Sequence, residues 1–544
     1  MVRAISLLVT RTNMTLAETI RLWRGQSASS PTPNKALVHD HFPWLLHEYE
    51  HVNLLIRTAT QGVKHVFQVD GTQQTCPVPN HKSAAVMRNA LIRSIRDGQR
   101  SGACLVVSRD AASRWRLHYS PFGCVEKTDA DLTVEARVIH DLSFPLGHST
   151  NAWSDQHSIP TLVYELVDII AHRIIALRKA NPTLIIKIMK GDVKSAYKNL
   201  HVHEDVSAFF AGSLPDEDVT IIDLALPFGW TGSAAHYGVF GTAISHIVRR
   251  ESPNTLDPTN PDTTPFFCFD WVDDHVLVEY ETHDRLQACD SALRLAMTAV
   301  LGPRAINNKK FTEWSTNVVT LGPEWDSVAM TVSMPVSKLQ KALGRVEAVL
   351  VSSQTTRTAL AKLLGSLRHV CSCIRPAKPF FQQLVALWKR SPRVRPISLT
   401  LEARLVLAWF AHILRFGRLR GVPLEYFCGL PAPAVHLYMD ASDSGLCVLN
   451  PVRHEFIRLQ FDTVEQALIK QRRLSINVRE QFSALVAVLC WGKHWRSSSR
   501  TTLTHVRFWI DNAAAVTWYN KLTSTNPLSQ EMNRIFGAVE AEWS

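Results

Sequence analysis

The sequence has little of what would place it in a specialised structural class. Its 10 cysteines among 544 residues form no CxxC pair, which excludes a disulfide scaffold and a conventional zinc site. Its 23 glycines and 27 prolines are too few for a collagen-like or low-complexity chain. We therefore expect a globular protein of a reducing compartment, cytoplasmic or nuclear.

Long hydrophobic runs are also missing. A membrane-spanning helix needs ~20 apolar residues. The longest run here, Leu405 to Ala411, has seven residues and lies between Arg404 and His412. Near the start, the apolar stretch from Ala4 is short and lacks a small-residue cleavage site. We expect no membrane partner and no secretion.

The composition that is present fits a folded, basic protein. Apolar residues make up 46% of the chain and charged residues 20%, which excludes disorder throughout. Lys and Arg number 59 against 48 Asp and Glu, a formal net charge of +11. An excess of positive charge is a hint, weak by itself, of a nucleic-acid partner.

The pattern along the chain predicts four regions. Residues 1–80 form an N-terminal segment that is partly irregular, and residues 81–335 have an α/β texture. Within the second region we predict a helix from Leu162 to Leu177, a buried strand from Leu184 to Met189, and a hairpin over Phe266 to Tyr280. Residues 336–430 read as helical and basic, and residues 431–544 as a second α/β region.

Acidic residues follow predicted strands in the first α/β region. Asp192 lies just after one strand, and Asp273 and Asp274 lie at the centre of the predicted hairpin. A helix N-cap explains Asp192 equally well, and a solvated hairpin tip explains the other two. Acids at two strand ends can also converge on two divalent cations about 3.5–4 Å apart. Oxygen ligands of this kind favour Mg²⁺ or Mn²⁺.

Seven short segments around these acids occur in an order found in one protein family. They are Ser120-Pro-Phe-Gly-Cys-Val-Glu-Lys127, Arg137-Val-Ile-His-Asp-Leu142, Asp192-Val-Lys-Ser-Ala-Tyr197, Leu226-Pro-Phe-Gly-Trp-Thr-Gly-Ser233, Trp271-Val-Asp-Asp274, Asn307-Asn-Lys-Lys310 and Leu321-Gly-Pro-Glu-Trp-Asp326. Together they resemble the fingers and palm of a reverse transcriptase. The resemblance implies a right-hand polymerase of the α/β (α+β) class, with residues 336–430 as thumb and connection.

The resemblance also implies a role for individual residues. Asp192, Asp273 and Asp274 would be the catalytic acids, and with the Val193 carbonyl they would hold two metal ions. The residues implied to line the nucleotide pocket are Lys127, Arg137, Val193, Tyr197, Phe228, Gly229, Lys309 and Lys310. Tyr197 would exclude the ribose 2′-hydroxyl, and either Lys309 or Lys310 would act as a cationic general acid. Trp271 would pack under the primer end, where the family usually has Tyr or Phe.

A second set of acids lies in the C-terminal region. Asp440 ends a predicted strand, Glu480 lies on a predicted helix, and Asp511 ends another strand. Each acid alone is more simply a surface carboxylate, but the strand, helix and strand order resembles RNase H. The three would then bind metal and cleave the RNA of a hybrid. In the RNase H family, the last helix is followed by a His-containing loop and a fourth acid. This sequence stops at Glu540-Ala-Glu-Trp-Ser544, so we expect a truncated domain with impaired hydrolysis.

The resemblance as a whole is to the reverse transcriptase and RNase H region of a retrotransposon polyprotein. The run Ile476-Asn-Val-Arg-Glu480 is most similar to DIRS-like, tyrosine-recombinase elements. The implied partners are an RNA template, a DNA or RNA primer, an RNA–DNA hybrid and deoxynucleoside triphosphates. Two alternatives are a catalytically inactive, nucleic-acid-binding remnant and a nuclease that uses only the C-terminal acids.

Overall fold

The computed structural model describes residues 1–71, 73–126, 131, 134–163, 165–352, 354–392, 395–429, 431–495 and 503–543. The chain divides into two compact units. The first comprises Met1–Glu165 and Met189–Glu313, and the second comprises Leu166–Ile188 and Trp314–Ser544. The four regions that we predicted from the sequence are not tested by this division and stay a prediction.

Helices and strands alternate over most of the chain, which confirms the mixed α/β class. The helices are α1 (Val2–Thr12), α2 (Leu16–Trp23), α3 (Phe42–Leu45), α4 (Val52–Gln61), α5 (Lys82–Val86), α6 (Arg88–Arg100), α7 (Arg109–Ala112), α8 (Thr150–Trp153), α9 (Asp168–Ala180), α10 (Ser233–Val248), α11 (Pro253–Leu256), α12 (Arg285–Leu301), α13 (Val336–Val351), α14 (Arg357–Cys373), α15 (Ala377–Arg390), α16 (Leu401–Phe416), α17 (Thr463–Lys470), α18 (Ile476–Trp491), α19 (Ala513–Lys521) and α20 (Pro527–Trp543). The strands are β1 (Cys104–Ser108), β2 (Phe122–Glu126), β3 (Ala136–His140), β4 (Ile186–Asp192), β5 (Ala211–Leu214), β6 (Val219–Asp223), β7 (Cys268–Trp271), β8 (Asp274–Tyr280), β9 (Asn317–Val319), β10 (Glu324–Asp326), β11 (Thr331–Ser333), β12 (Gln354–Thr355), β13 (Ile397–Ser398), β14 (Val422–Pro423), β15 (Val435–Ala441), β16 (Gly445–Asn450), β17 (Glu455–Gln460) and β18 (Val506–Trp509).

The first unit is built on small sheets. Their strand orders are β1-β6-β5, β2-β3 and β4-β8-β7. The central strand β8 is buried at five consecutive positions, His275 to Glu279, so both of its faces are covered. The predicted hairpin over Phe266 to Tyr280 is confirmed as β7 and β8, which pair antiparallel with Trp271 opposite Asp274.

The second unit combines a helical core with two further sheets and a two-stranded ribbon. Its sheets have the orders β14-β11-β10-β9 and β17-β16-β15-β18. A hydrophobic core extends from Met334 through α13 to α16, and it includes the inner residues of β15 and β16 and apolar residues of α18 and α20. In the four-stranded β15–β18 sheet only the β15–β18 pair is parallel.

One predicted helix begins later than its apolar pattern indicates. We predicted a start at Leu162, whereas α9 begins at Asp168. Leu162 instead packs over Gly238 of α10, so closely that a Cβ on that glycine would lie 2.1 Å from Leu162 Cδ1. Tertiary packing of an extended segment therefore overrides the helical periodicity.

Two predictions about strands also need correction. The segment Val318 to Val332 reads as one hairpin, but it contains most of the three successive antiparallel strands β9, β10 and β11. The pattern also missed β16, which pairs with both β15 and β17. None of the described helices is long and apolar enough to cross a membrane.

A buried ion pair stabilises the base of the β7–β8 hairpin. Arg285 of α12 donates from Nε and Nη2 to Oε2 of Glu279, at 2.9 and 2.7 Å, and both side chains are buried. Oε1 of Glu279 accepts from the Phe267 amide at 2.6 Å. The carboxylate therefore joins the hairpin to α12.

Replacing Glu279 by Gln is expected to lower the free energy of unfolding by about 3–5 kcal/mol, because it leaves a buried guanidinium without its main counter-charge. Urea unfolding measures the change. The matched control is Asp97→Asn in the exposed Asp97–Arg100 pair, which should change the stability by under about 1 kcal/mol. Equal effects of the two substitutions would contradict this account.

Candidate functional site

Asp192 is placed by tight packing at the end of β4. Its side chain is only 1% exposed. The preceding residue, Gly191, is closely packed: a Cβ there would lie 2.7 Å from Leu293 Cδ2 and 2.9 Å from Phe311 Cζ, so a larger residue would displace these side-chain ends. Close contact with the α12 side therefore fixes the position of the carboxylate.

The tip of the β7–β8 hairpin lies against the end of β4. Val272 and Asp273 form its two-residue turn, and Val272 has a φ of 57°. A positive φ at the first turn residue alone is typical of a type II′ turn, in which a β-branched residue is strained. The amide of Val193 donates to the Asp273 carbonyl at 2.8 Å. This bond brings together the two strand ends whose convergence we predicted.

Protein cations and an amide hold two of the three acids. Asn307 Nδ2 donates to Oδ1 of Asp192 at 2.6 Å, and Lys310 Nζ donates to Oδ2 at 2.7 Å. Lys190 Nζ lies 2.8 Å from Oδ1 of Asp274. Of the two lysines that the sequence left open, Lys310 is therefore the one that contacts an acid.

Negative charge is crowded around the Asp273 carboxyl. Burial raises the pKa of its carboxyl, and the nearby Asp274 and Asp192 raise it further, while Lys310 opposes them. Such a site gains stability from any additional positive charge. The carboxylate donors and the neighbouring Val193 backbone are also the ligand types that Mg²⁺ and Mn²⁺ prefer. The residues present fit a divalent cation.

An aromatic cluster lies beside the acids. The rings of Tyr197 and Phe228 have centroids 4.8 Å apart, and those of Tyr197 and Tyr237 are 5.7 Å apart. Phe228 is 40% exposed, whereas Tyr237 is fully buried. The cluster therefore extends from a fully buried ring to a partly exposed one.

The loop that carries Phe228 is hydrogen-bonded to the β2–β3 hairpin. The His140 amide of β3 donates to the Phe228 carbonyl at 3.0 Å. Gly229 follows with a φ of 131°, and a Cβ there would lie 1.8 Å from the His140 carbonyl oxygen. Asn151 Nδ2 also donates to the Gly229 carbonyl at 2.7 Å. Only glycine permits this approach.

The remaining polymerase-like residues are placed less specifically. Arg137 is exposed on β3, opposite Val125 of β2. Trp271 ends β7 and is 38% exposed. Lys127 lies outside the described residues. The roles that the resemblance implies for these three residues stay predictions.

The C-terminal acids form a tighter cluster than the polymerase-like acids. Asp440, Glu480 and Asp511 each offer an oxygen, and these atoms all lie within 4.8 Å of one another. In the part of the chain that the structure describes, this is the only group of three or more His, Cys, Asp or Glu side chains found at that spacing. The structure therefore brings together the three acids that the sequence singled out, and their roles in metal binding and hydrolysis stay predictions.

Glu480 is the buried member of this cluster. Its Oε1 accepts from the Ala441 amide at 3.1 Å, while Oε2 is buried and receives no hydrogen bond from the described residues. Burial raises the pKa of its carboxyl to about 7, with further contributions from Asp440 and Asp511. A cation bound here would satisfy Oε2 and relieve the repulsion, so the residues fit a metal site.

Asn512 follows Asp511 in the segment between β18 and α19, and its side chain fixes this segment to two helices. Its side chain caps α19 by accepting from the Ala515 amide at 3.0 Å. Its Nδ2 also donates to Asn477 Oδ1 of α18 at 2.8 Å. Sequence reasoning assigned no role to Asn512, nor to Lys190 or Asn307. Asn512 is a typical N-cap residue. Lys190 lies two residues before Asp192, and Asn307 begins the family-like segment Asn307-Asn-Lys-Lys310, but neither residue type indicated which acid it contacts.

Comparison with known proteins gives a limited result. No family model matches the sequence, and no curated protein matches it. A solved structure of the foamy viral protease-reverse transcriptase in complex with dsDNA is 13% identical, with a TM-score of 0.42, over 88% of this chain and 95% of that one. Another, in complex with an RNA/DNA hybrid, is 11% identical, with a TM-score of 0.42, over 92% and 60%.

The raised pKa of Glu480 predicts a pH-dependent stability. Because the folded pKa of about 7 exceeds the ordinary value of 4.5, this group stabilises the fold at low pH, and that stabilisation is lost as the pH rises through 7. In EDTA at about pH 8, Glu480→Gln should therefore be more stable than wild type by about 2 kcal/mol.

Thermal unfolding measured from acid to alkaline pH tests this expectation. Mg²⁺ added at high pH should stabilise wild type more than the Gln variant. The exposed Glu402→Gln is the control and should follow wild type at every pH. The raised pKa of Glu480 would be contradicted if the melting temperatures of wild type and Glu480→Gln differed by the same amount at every pH.

Proposed function

We propose that the chain is an RNA-directed DNA polymerase of a retrotransposon that resembles the DIRS-like elements. One observation carries the proposal. The Val193–Asp273 backbone bond joins the end of β4 to the hairpin tip, and the charge of Asp192 contributes to the raised pKa of Asp273, which supports a shared site for the two carboxylates. The order of the seven family-like segments supports it independently. The protein would act in the cytoplasm or nucleus.

Each residue of the site has a task in extending a primer 3′-hydroxyl. Two Mg²⁺ or Mn²⁺ ions, when bound, would stabilise the attacking and leaving oxygens of the in-line transfer. Asp192, Asp273 and the Val193 carbonyl would hold them, while Asp274 is neutralised by Lys190. Lys310 would lie beside the leaving pyrophosphate and protonate it. The protein supplies positioning and charge, which phosphoryl transfer chiefly requires.

Substrate selection would depend on the aromatic cluster and the basic residues. Tyr197, held between Phe228 and Tyr237, would close the space next to the sugar C2′ and favour deoxynucleoside triphosphates. Arg137 and Lys127 would contact the triphosphate, as guanidinium and ammonium groups do. Trp271 and Gly229 would face the primer end and the template.

Primer extension on an RNA template with Mg²⁺ tests the polymerase. Asp273→Asn should lower the rate roughly 100-fold or more, because it removes charge that acts on the transition state. Asp284→Asn, an exposed acid at the start of α12, is the control and should retain wild-type extension. A folded wild-type protein that binds the hybrid but never extends it would favour an inactive, nucleic-acid-binding remnant.

The C-terminal cluster favours a second activity on the same chain. Three acids within 4.8 Å, one with an unsatisfied buried oxygen, form a set of donors suited to two-metal hydrolysis. We propose that this region cleaves the RNA strand of an RNA–DNA hybrid, against the impaired activity that we expected from the sequence. Asp440, Glu480 and Asp511 would hold the cations, which would activate the attacking water.

Hydrolysis of a labelled RNA–DNA hybrid tests this second activity. Asp511→Asn should reduce cleavage at least about 100-fold and should leave primer extension unchanged, because its carboxylate belongs to the other cluster. Glu402→Gln is the surface control. Cleavage that persists in Asp511→Asn but is lost in Asp273→Asn would assign the hydrolysis to the polymerase-like acids instead.

A further inference from the structure

The outer face of the β15–β18 sheet carries an apolar row that no described element covers. Pairing places Trp509 opposite Tyr438, Tyr438 opposite Leu449, and Leu449 opposite Phe456. The four residues therefore form one line across all four strands. They are 44%, 45%, 47% and 69% exposed, in that order. Their sequence neighbours Leu437 and Val448 point into the core and are fully buried.

The aromatic part of this row is organised as a stack. The rings of Tyr438 and Trp509 are 9° from parallel with centroids 6.0 Å apart, and those of His436 and Trp509 are 17° from parallel at 6.1 Å. Trp509 Nε1 donates to His436 Nδ1 at 3.1 Å. The indole is therefore held in place by a side-chain bond while its ring remains accessible.

Charged and polar rows lie on both sides of the apolar row. On one side, His436 is opposite Arg507, whose guanidinium lies 5.8 Å from the Trp509 ring centroid. On the other side, Asp440, Cys447 and Arg458 are aligned across three strands. The apolar surface is thus one residue wide, about 7 Å along each strand.

This width argues against an amphipathic helix as the occupant. A helix with side chains is about 10–12 Å across, so it would also cover Asp440, Arg458 and Arg507 and remove their charges from water at a high cost. A single nucleic-acid strand fits better. Its bases stack on exposed rings, and its phosphates pair with arginines that flank the rings.

We infer that the outer face of this sheet binds single-stranded nucleic acid, with bases stacked on Tyr438 and Trp509 and phosphates on Arg507 and Arg458. The row runs beside the Asp440, Glu480 and Asp511 cluster, because Asp440 and Asp511 each lie two residues beyond a stacking ring. A strand on the rings would thus pass directly alongside the acids. The inference requires neither polymerisation nor hydrolysis.

Photocrosslinking tests the inference on the full chain. The probe is a single-stranded DNA of about 12 nucleotides that carries iodinated deoxyuridine, in Mg²⁺ and without template or nucleotides. Crosslinked peptides should contain Tyr438 or Trp509. Fluorescence anisotropy should show affinity at least about 10-fold lower for the double variant Tyr438→Ala, Trp509→Ala.

Matched variants separate stacking from a general loss of structure. The double variant Tyr438→Phe, Trp509→Phe keeps two rings and should retain most of the affinity. Trp44→Ala removes an exposed indole from the first unit, 69% exposed against 44% for Trp509, and should bind like wild type. Duplex DNA of the same sequence should compete weakly, because its bases are already stacked.

Two results would overturn the inference. One is a wild-type crosslink map that omits the β15 and β18 peptides; this result stands even if the Ala variant fails to fold. The other is unchanged oligonucleotide affinity in a folded Ala variant. If that variant instead abolishes a self-association seen by sedimentation, the row is a protein interface and the nucleic-acid assignment is wrong.

Discussion

The hydrogen bond from the Val193 amide to the Asp273 carbonyl is the contact on which the polymerase-like site depends. It joins the end of β4 to a hairpin whose turn contains a strained valine, and both strands belong to one sheet. Carboxylates brought this close repel one another. Contacts with donor groups of the protein reduce this repulsion: Lys310 and Asn307 donate to Asp192, and Lys190 pairs with Asp274.

Carboxylates also lie close together in the C-terminal cluster, but their surroundings differ. Oε1 of Glu480 accepts a hydrogen bond from the Ala441 amide, and the buried Oε2 accepts none from the described residues. Burial and the charges of Asp440 and Asp511 raise the pKa of Glu480, so this carboxyl takes up a proton more readily than an ordinary glutamate. Lysines of the protein contact two of the three acids at the first site and leave Asp273 with a raised pKa, whereas the second cluster takes up protons or cations.

Local sequence predicted the parts of these sites that depend on neighbours in the chain. The hairpin with its acids, the strand before Asp192, and the strand, helix and strand that carry Asp440, Glu480 and Asp511 all followed from short patterns. Contacts between distant segments did not follow. Nothing local pairs Lys190 with Asp274 or chooses Lys310 over Lys309, and the row from Trp509 to Phe456 exists only through strand register.

The pairing of β15 with β18 also bears on how the chain folds. Val435 pairs in parallel with Val506, about 70 positions later, whereas β15, β16 and β17 are joined by short turns. Closing so long a loop is entropically slow, so the local meander should form first and β18 should dock afterwards. During synthesis, Asp440 and Glu480 would therefore leave the ribosome well before Asp511 joins them, and a chain interrupted in that interval would have no metal cluster.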